Sequence, residues 1–113
     1  IVQRPRVAAS GEGWKELILG ENEQLYFSLR RLDFETECPQ DTHGERFHVL
    51  ALVDGDHVRV RSVAHPERSF DMDYLDIVCV PAEMGEYVIE NLGKEPVMVH
   101  KTMLRDGYQE VVL

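Results

Sequence analysis

Basic residues are scarce in this chain. Twelve lysines and arginines stand against twenty-one aspartates and glutamates, a formal net charge of −9 with the histidines neutral. Phosphate backbones require a basic surface, so DNA and RNA are excluded as principal partners, and anionic membranes are disfavoured for the same reason. Long hydrophobic runs are also missing. No stretch reaches the roughly 20 residues of a membrane-spanning helix, and the N-terminus lacks the charged-then-apolar pattern of a signal peptide. Two cysteines, Cys38 and Cys79, are too few for a disulfide framework. Cys79 lies inside an apolar run, where a free thiol behaves as a small hydrophobe, and a reducing cytoplasm is the expected location. No segment sustains helical periodicity over three turns, and no repeat or low-complexity tract occurs. A glycine-rich phosphate loop, paired-cysteine zinc spacing and a nucleophile elbow are all absent, so no motif assigns a catalytic residue, a cofactor-binding residue or a metal ligand.

What is present is a pattern of short strands. The 113 residues, 43% hydrophobic and 29% charged, suffice for one domain with a small core. Apolar or alternating runs cover Trp14 to Leu19, Leu25 to Glu35, Arg46 to Val53, His57 to Val63, Leu75 to Val80, Glu86 to Leu92 and Val97 to Leu104. Turn residues separate them, among them Cys38-Pro39-Gln40-Asp41, Asp54-Gly55-Asp56 and Pro81 to Gly85. This spacing predicts an all-β sandwich or barrel of seven or more strands over residues 14–113, with residues 1–13 as an irregular lead-in or linker end. The chain opens at Ile1 and is expected to be a piece of a longer protein.

Within the strands, Val58, Val60 and Ser62 alternate with His57, Arg59 and Arg61, one apolar face and one charged. Asp54-Gly55 is the strongest hairpin signal. Leu25, Phe27 and Leu29 run in one phase and Leu32 and Phe34 in the other, which a β-bulge at Arg30-Arg31 would reconcile. Phe27, Phe47, Val49, Val60, Ile77, Cys79 and Val88 are the expected interior. Arg59 and Arg61 read as a solvated outer face rather than a phosphate site. Lys101, beside His100, reads as surface, and Asp71, Asp73 and Asp76 as a polar turn.

One pattern is more specific. A strand ending VLALVDGD (Val49 to Asp56) is followed by HVRVRSV and then by LDIVCVPAEMGEY, in which an apolar run stops at Pro81 and meets Gly85. This order resembles the cupins, antiparallel double-sheet jelly rolls. RPRV, YFSLRRLDF, FHVLALVDG and VPAEMGEYVI further resemble the C-terminal cupin domain of type I mannose-6-phosphate isomerases. That resemblance implies an accessory, structural role in carbohydrate metabolism, with zinc and most of the sugar-phosphate pocket in an upstream domain. The implied partners are that metal-bearing cupin domain and a sugar phosphate, with a homodimer left open.

Metal-binding cupins supply two histidines and a glutamate from a first motif and one histidine from a second. Counted back from Gly55, those first-motif positions hold Asp41, His43 and His48; five residues after Pro81, the last position holds Glu86. All four can ligate a metal. With three of the four identities changed, the expectation is a lost metal: His43 a loop residue, His48 a satisfied barrel histidine and Glu86 a solvated strand start. The alternatives are a stand-alone cupin binding metal through these drifted ligands, or one binding a sugar-like ligand without catalysis.

Overall fold

The computed structural model describes residues 6–20 and 27–104, and within them the period-2 pattern becomes ten strands. In chain order these are β1 (Arg6–Gly11), β2 (Trp14–Gly20), β3 (Phe27–Phe34), β4 (Glu37–Asp41), β5 (His48–Asp54), β6 (His57–Ser62), β7 (Ser69–Asp73), β8 (Ile77–Val80), β9 (Glu86–Asn91) and β10 (Val97–Leu104). A short 3-10 turn, Ala82–Met84, separates β8 from β9. A six-stranded sheet has the order β1-β2-β3-β10-β5-β8, and a four-stranded sheet the order β4-β9-β6-β7. Every pairing is antiparallel. The chain is therefore an all-β double-sheet sandwich.

The inner faces meet in one core. Leu32 from β3, Leu50 and Leu52 from β5, Val60 from β6, and Tyr87 and Ile89 from β9 have no exposed surface there. Each fully buried aliphatic side chain of this kind contributes about 1.5–3 kcal/mol relative to exposure. β6 alternates as its sequence requires, with Val58, Val60 and Ser62 buried.

Where every residue of a strand is apolar, the phase differs from the expectation. β8 faces Val80 inward and leaves Ile77 72% exposed, with Cys79 exposed as well. Partner register sets this: Val80 lies opposite His48 and Val78 opposite Leu50, so Ile77 and Cys79 share the outer face with Ala51 and Val49. In β5 the inward set is His48, Leu50 and Leu52; Val49 is only half-buried, and Phe47 before the strand is exposed. Likewise Tyr87 and Ile89, not Val88, enter the core from β9. Of the expected interior, Val60 is inside, and the side chain of Phe27 lies outside the described residues. A run such as IVCV carries no alternation, so hydrophobicity cannot choose its face.

Three further elements depart from the sequence reading. Arg6–Gly11, within the stretch read as an irregular lead-in, is strand β1 and pairs with β2. Cys38-Pro39-Gln40-Asp41, read as a turn, is strand β4. It tolerates Pro39 because it is a sheet edge, where an absent N–H breaks no ladder. Asp71 and Asp73, read as part of a polar turn, stand in strand β7 opposite Arg59 and His57. β3 pairs with β10 without interruption from Phe27 to Phe34, so no bulge sits at Arg30-Arg31. The shift occurs instead in β2, between Ile18 and Gly20.

Asp54-Gly55 does not close a hairpin. β5 belongs to the six-stranded sheet and β6 to the four-stranded one, so the turn is a corner between layers. Gly55 takes φ 126°, and a Cβ there would stand 3.0 Å from Val97 Cγ2. The glycine is required by close packing of the corner rather than by a two-residue hairpin turn.

Candidate functional site

At one end of the sandwich the sheets diverge around an open cavity of about 620 Å³. Its floor is polar. β2 contributes Glu16, β3 Arg30, β4 Gln40, β5 His48, β9 Tyr87 and β10 Lys101. In each case the polar residue falls on its strand's inward phase, so burial follows from the pleat. Glu16, Gln40, His48 and Lys101 are between 2% and 9% exposed.

These groups bond one another. Glu16 Oε2 accepts from Arg30 Nη1 at 2.7 Å and from Lys101 Nζ at 3.1 Å. Glu16 Oε1 accepts from Gln40 Nε2 at 3.1 Å, and the Gln40 carbonyl oxygen accepts from Lys101 Nζ. Burial alone would raise the Glu16 pKa. The Lys101 charge, with hydrogen bonds from Arg30, Gln40 and Lys101, outweighs it and holds the carboxyl below its ordinary value. Burial pushes the Lys101 ammonium down, and Glu16 opposes that shift. The carboxylate at 3.1 Å favours the charged form of the ammonium. Beside it, His48 Nδ1 and Tyr87 Oη are 2.6 Å apart. Burial, then the Lys101 charge, lowers the His48 pKa to about 4. Burial raises the Tyr87 phenol well above its usual value and the Cys38 thiol to about 11, which leaves Cys38 an inert core residue.

A pH dependence follows. His48 is neutral in the fold down to about pH 4, whereas an unfolded histidine protonates near 6.5. Its stabilising contribution is thus full above pH 6.5 and is lost as pH falls towards 4. Denaturant midpoints measured from pH 7 to pH 4 should show a stability loss on the order of 3 kcal/mol from this group. His48→Gln should flatten that limb of the profile; an unchanged limb would assign it to other groups.

All four drifted positions lie around this cavity. Asp41 and Glu86 are register partners at the ends of β4 and β9. His43 is exposed at φ 57°, with its N–H on Asp41 Oδ1 at 2.7 Å. Glu86 is an exposed strand start and His48 a buried, hydrogen-bonded histidine. The Pro81 to Gly85 turn beside them is fastened by buried Thr42, which donates to the Ala82 carbonyl and accepts from the Gly85 N–H at 2.9 Å. Gly85 has φ 67° and ψ −136°, closed to most side chains.

Among the described residues, no three His, Cys, Asp or Glu side chains are grouped to hold a metal ion. The chemistry of the floor agrees. His48 has one ring nitrogen committed to Tyr87, and two cations, Lys101 and Arg30, share the floor with Glu16.

Lys101 is thus corrected from a surface residue to a 3%-exposed one. Its signal was its phase, since Val97, Val99 and Lys101 share one face of β10. Arg59 and Arg61 face outward, paired with Asp71 and Glu90. Asp71 and Asp73 also bind His57, which raises the imidazole's pKa, and Asp76 accepts the Asp73 N–H. These aspartates are occupied within the protein and do not form a cation site.

The two antiparallel sheets, the Pro/Gly turn and the cavity between them define a cupin fold. Solved structures agree at low sequence identity. The chain is similar to the Cnp3 cupin domain of Schizosaccharomyces pombe at 22% identity and TM-score 0.65, covering 82% of this chain and 65% of that one. It is similar to a cupin-2 domain of Rhodospirillum rubrum at 9% identity and TM-score 0.68, covering 94% and 72%. It is also similar to the oxalate decarboxylase of Lactobacillus farciminis, in a formate complex, at 17% identity and TM-score 0.67, covering 97% and 33%. No protein-family model and no curated protein matches the chain.

Proposed function

We propose that this domain is a non-catalytic cupin that holds a small polar ligand in its open cavity without a metal. The observation that supports it is the buried Lys101 ammonium, bonded to Glu16 and Gln40 on the cavity floor. A cupin metal centre supplies Lewis acidity to a substrate; a lysine–glutamate–arginine floor supplies charge and hydrogen bonds only. Asp41, His43, His48 and Glu86 then line a binding pocket instead of a coordination sphere.

Metal analysis tests this. Protein incubated with zinc, manganese or iron(II) and desalted should retain far less than one equivalent, and Glu86→Gln should change stability by no more than about 0.5 kcal/mol. Stoichiometric retention, lost in Glu86→Gln together with melting temperature, would establish the drifted-ligand centre instead.

A second reading keeps the isomerase resemblance, in which the domain packs against an upstream metal-bearing domain of a cytoplasmic sugar-phosphate enzyme. The outer face of β8 favours it. Ile77 on this edge strand is 72% exposed beside exposed Cys79, and Leu75, 62% exposed, and exposed Tyr74 lie in the turn before it, an apolar surface suited to cover by another domain. On this reading the isolated chain gives no mannose-6-phosphate isomerase turnover. Chelator-sensitive turnover in a coupled assay would overturn it.

A further inference from the structure

Among the described residues the two sheets end in four edge strands, and three of these are blunted against strand addition. β1 has a register shift between Val7 and Ala9, β4 has Pro39 between Glu37 and Asp41, and β7 presents Asp71 and Asp73. β8 is the exception. Ile77–Val80 contains no charge and no proline, and it pairs with β5 without a register shift. Its outer-face side chains, Ile77 and Cys79, are exposed.

The ladder identifies the free backbone groups of this edge. On the β8 side of β5, Leu52 donates to the Asp76 carbonyl at 3.2 Å and accepts from the Leu75 N–H at 2.8 Å. Bonded and non-bonded pairs alternate along an antiparallel ladder. Leu50 with Val78 and His48 with Val80 are therefore the bonded pairs of β5 and β8. The N–H and C=O of Ile77 and Cys79 point the other way, off the sheet. They have no partner among the described residues. Such a row of groups is a template for another strand.

The edge matches itself. An antiparallel copy of β8, set with Ile77 opposite Cys79 and Cys79 opposite Ile77, satisfies all four outward groups on each side. Sliding the copy by two residues spoils the match in either direction. One shift puts Ile77 opposite Pro81, which has no N–H and whose carbonyl already accepts from the Met84 N–H. The other puts Cys79 opposite Leu75, whose N–H is spent on Leu52. The matching register also sets exposed Leu75 level with Pro81 of the second copy.

We propose that β8 is a homodimer edge, at which two copies pair antiparallel across a two-fold axis at Val78 and join their six-stranded sheets into one. Pairing consumes the edge, so assembly closes at two. The interface is separate from the cavity, and it stands whether or not a ligand is held there. Two bonded residues per copy fall short of the roughly 800 Å² per partner of a standard interface, so the dimer is weak and concentration-dependent.

Sedimentation velocity of the chain across a hundredfold concentration range, at physiological ionic strength, tests the proposal. A reversible monomer–dimer equilibrium should appear, with a dissociation constant on the order of 10–100 μM and no larger species. Ile77→Lys should weaken association about tenfold or more, because a charge blunts the edge. Val7→Lys, at a 60%-exposed position of β1, should leave association unchanged. Ile77→Cys places a thiol opposite Cys79 of the second copy, at a Cα separation of about 5.5 Å that a disulfide spans. Mild oxidation of that variant should link two chains, whereas the wild type, with Cys79 facing Ile77 and Cys38 buried, should stay unlinked. A chain that remains monomeric at the highest concentration overturns the proposal and leaves the edge to a strand of another domain. A dimer that Ile77→Lys does not weaken, or that Ile77→Cys does not cross-link, uses a different surface and overturns it as well.

Discussion

Lys101→Met should lower stability by about 3–5 kcal/mol, a drop in melting temperature of roughly 10–20 °C. The methionine fills similar space, so the loss comes from charge and hydrogen bonding. Glu16, 5% exposed, is left with Arg30 and Gln40, and the Gln40 carbonyl oxygen loses its donor. Removing one partner of a buried pair leaves the other's desolvation uncompensated, whereas removing both need not. The double variant Glu16→Gln/Lys101→Met should therefore recover a substantial part of the loss. Chemical denaturation of the wild type, both single variants and the double variant closes a cycle that isolates the coupling. A loss below about 1 kcal/mol for Lys101→Met would show that the ammonium reaches water and that the network is not a buried one.

The second large effect is a contrast between two apolar residues of neighbouring strands. Leu52→Ala should cost about 2–5 kcal/mol and Ile77→Ala less than about 0.5 kcal/mol. Leu52 has no exposed surface and lies in the main core cluster, so truncation leaves a cavity between the sheets. Ile77 is 72% exposed on β8, and truncation there removes little buried area. Hydropathy does not separate the two residues. Only the pairing of β5 with β8 does, and equal losses at both sites would show that the β8 edge is covered in solution. If the outer face of β8 packs against another domain, that equality should appear only when the domain is present.

Much of the fold was legible in the chain. Seven apolar runs became strands near their expected bounds, and HVRVRS showed its buried face directly, because a charged residue on alternate positions of β6 breaks the symmetry between the two sides. Pro81 and Gly85 marked a turn for covalent reasons, a missing N–H and a positive φ. β4 and β7 were not legible. Each is a short sheet edge whose polar outer residues mimic a turn, and only the neighbouring strand makes ECPQD and SFDMD extended. The corner at Asp54-Gly55 was misread for a related reason. Two residues that favour reversal say nothing about whether the strand that follows joins the same sheet or the opposite one.

The site divides along the same line. Sequence by itself, through its resemblance to the cupin motifs, picked out Asp41, His43, His48 and Glu86, and all four line the cavity. It also carries a formal net charge of −9, which disfavours a nucleic-acid partner through composition alone. The tertiary structure decided what fills that end. Glu16, Arg30, Gln40 and Lys101 come from four different strands, separated by as many as 85 positions between Glu16 and Lys101. No local pattern links them, and each alone reads as one more charged or polar residue in an acidic chain. Pairing β2, β3 and β10 in one sheet sets Glu16, Arg30 and Lys101 side by side, and β4 of the opposite sheet adds Gln40, so that four ordinary side chains become one buried hydrogen-bonded network.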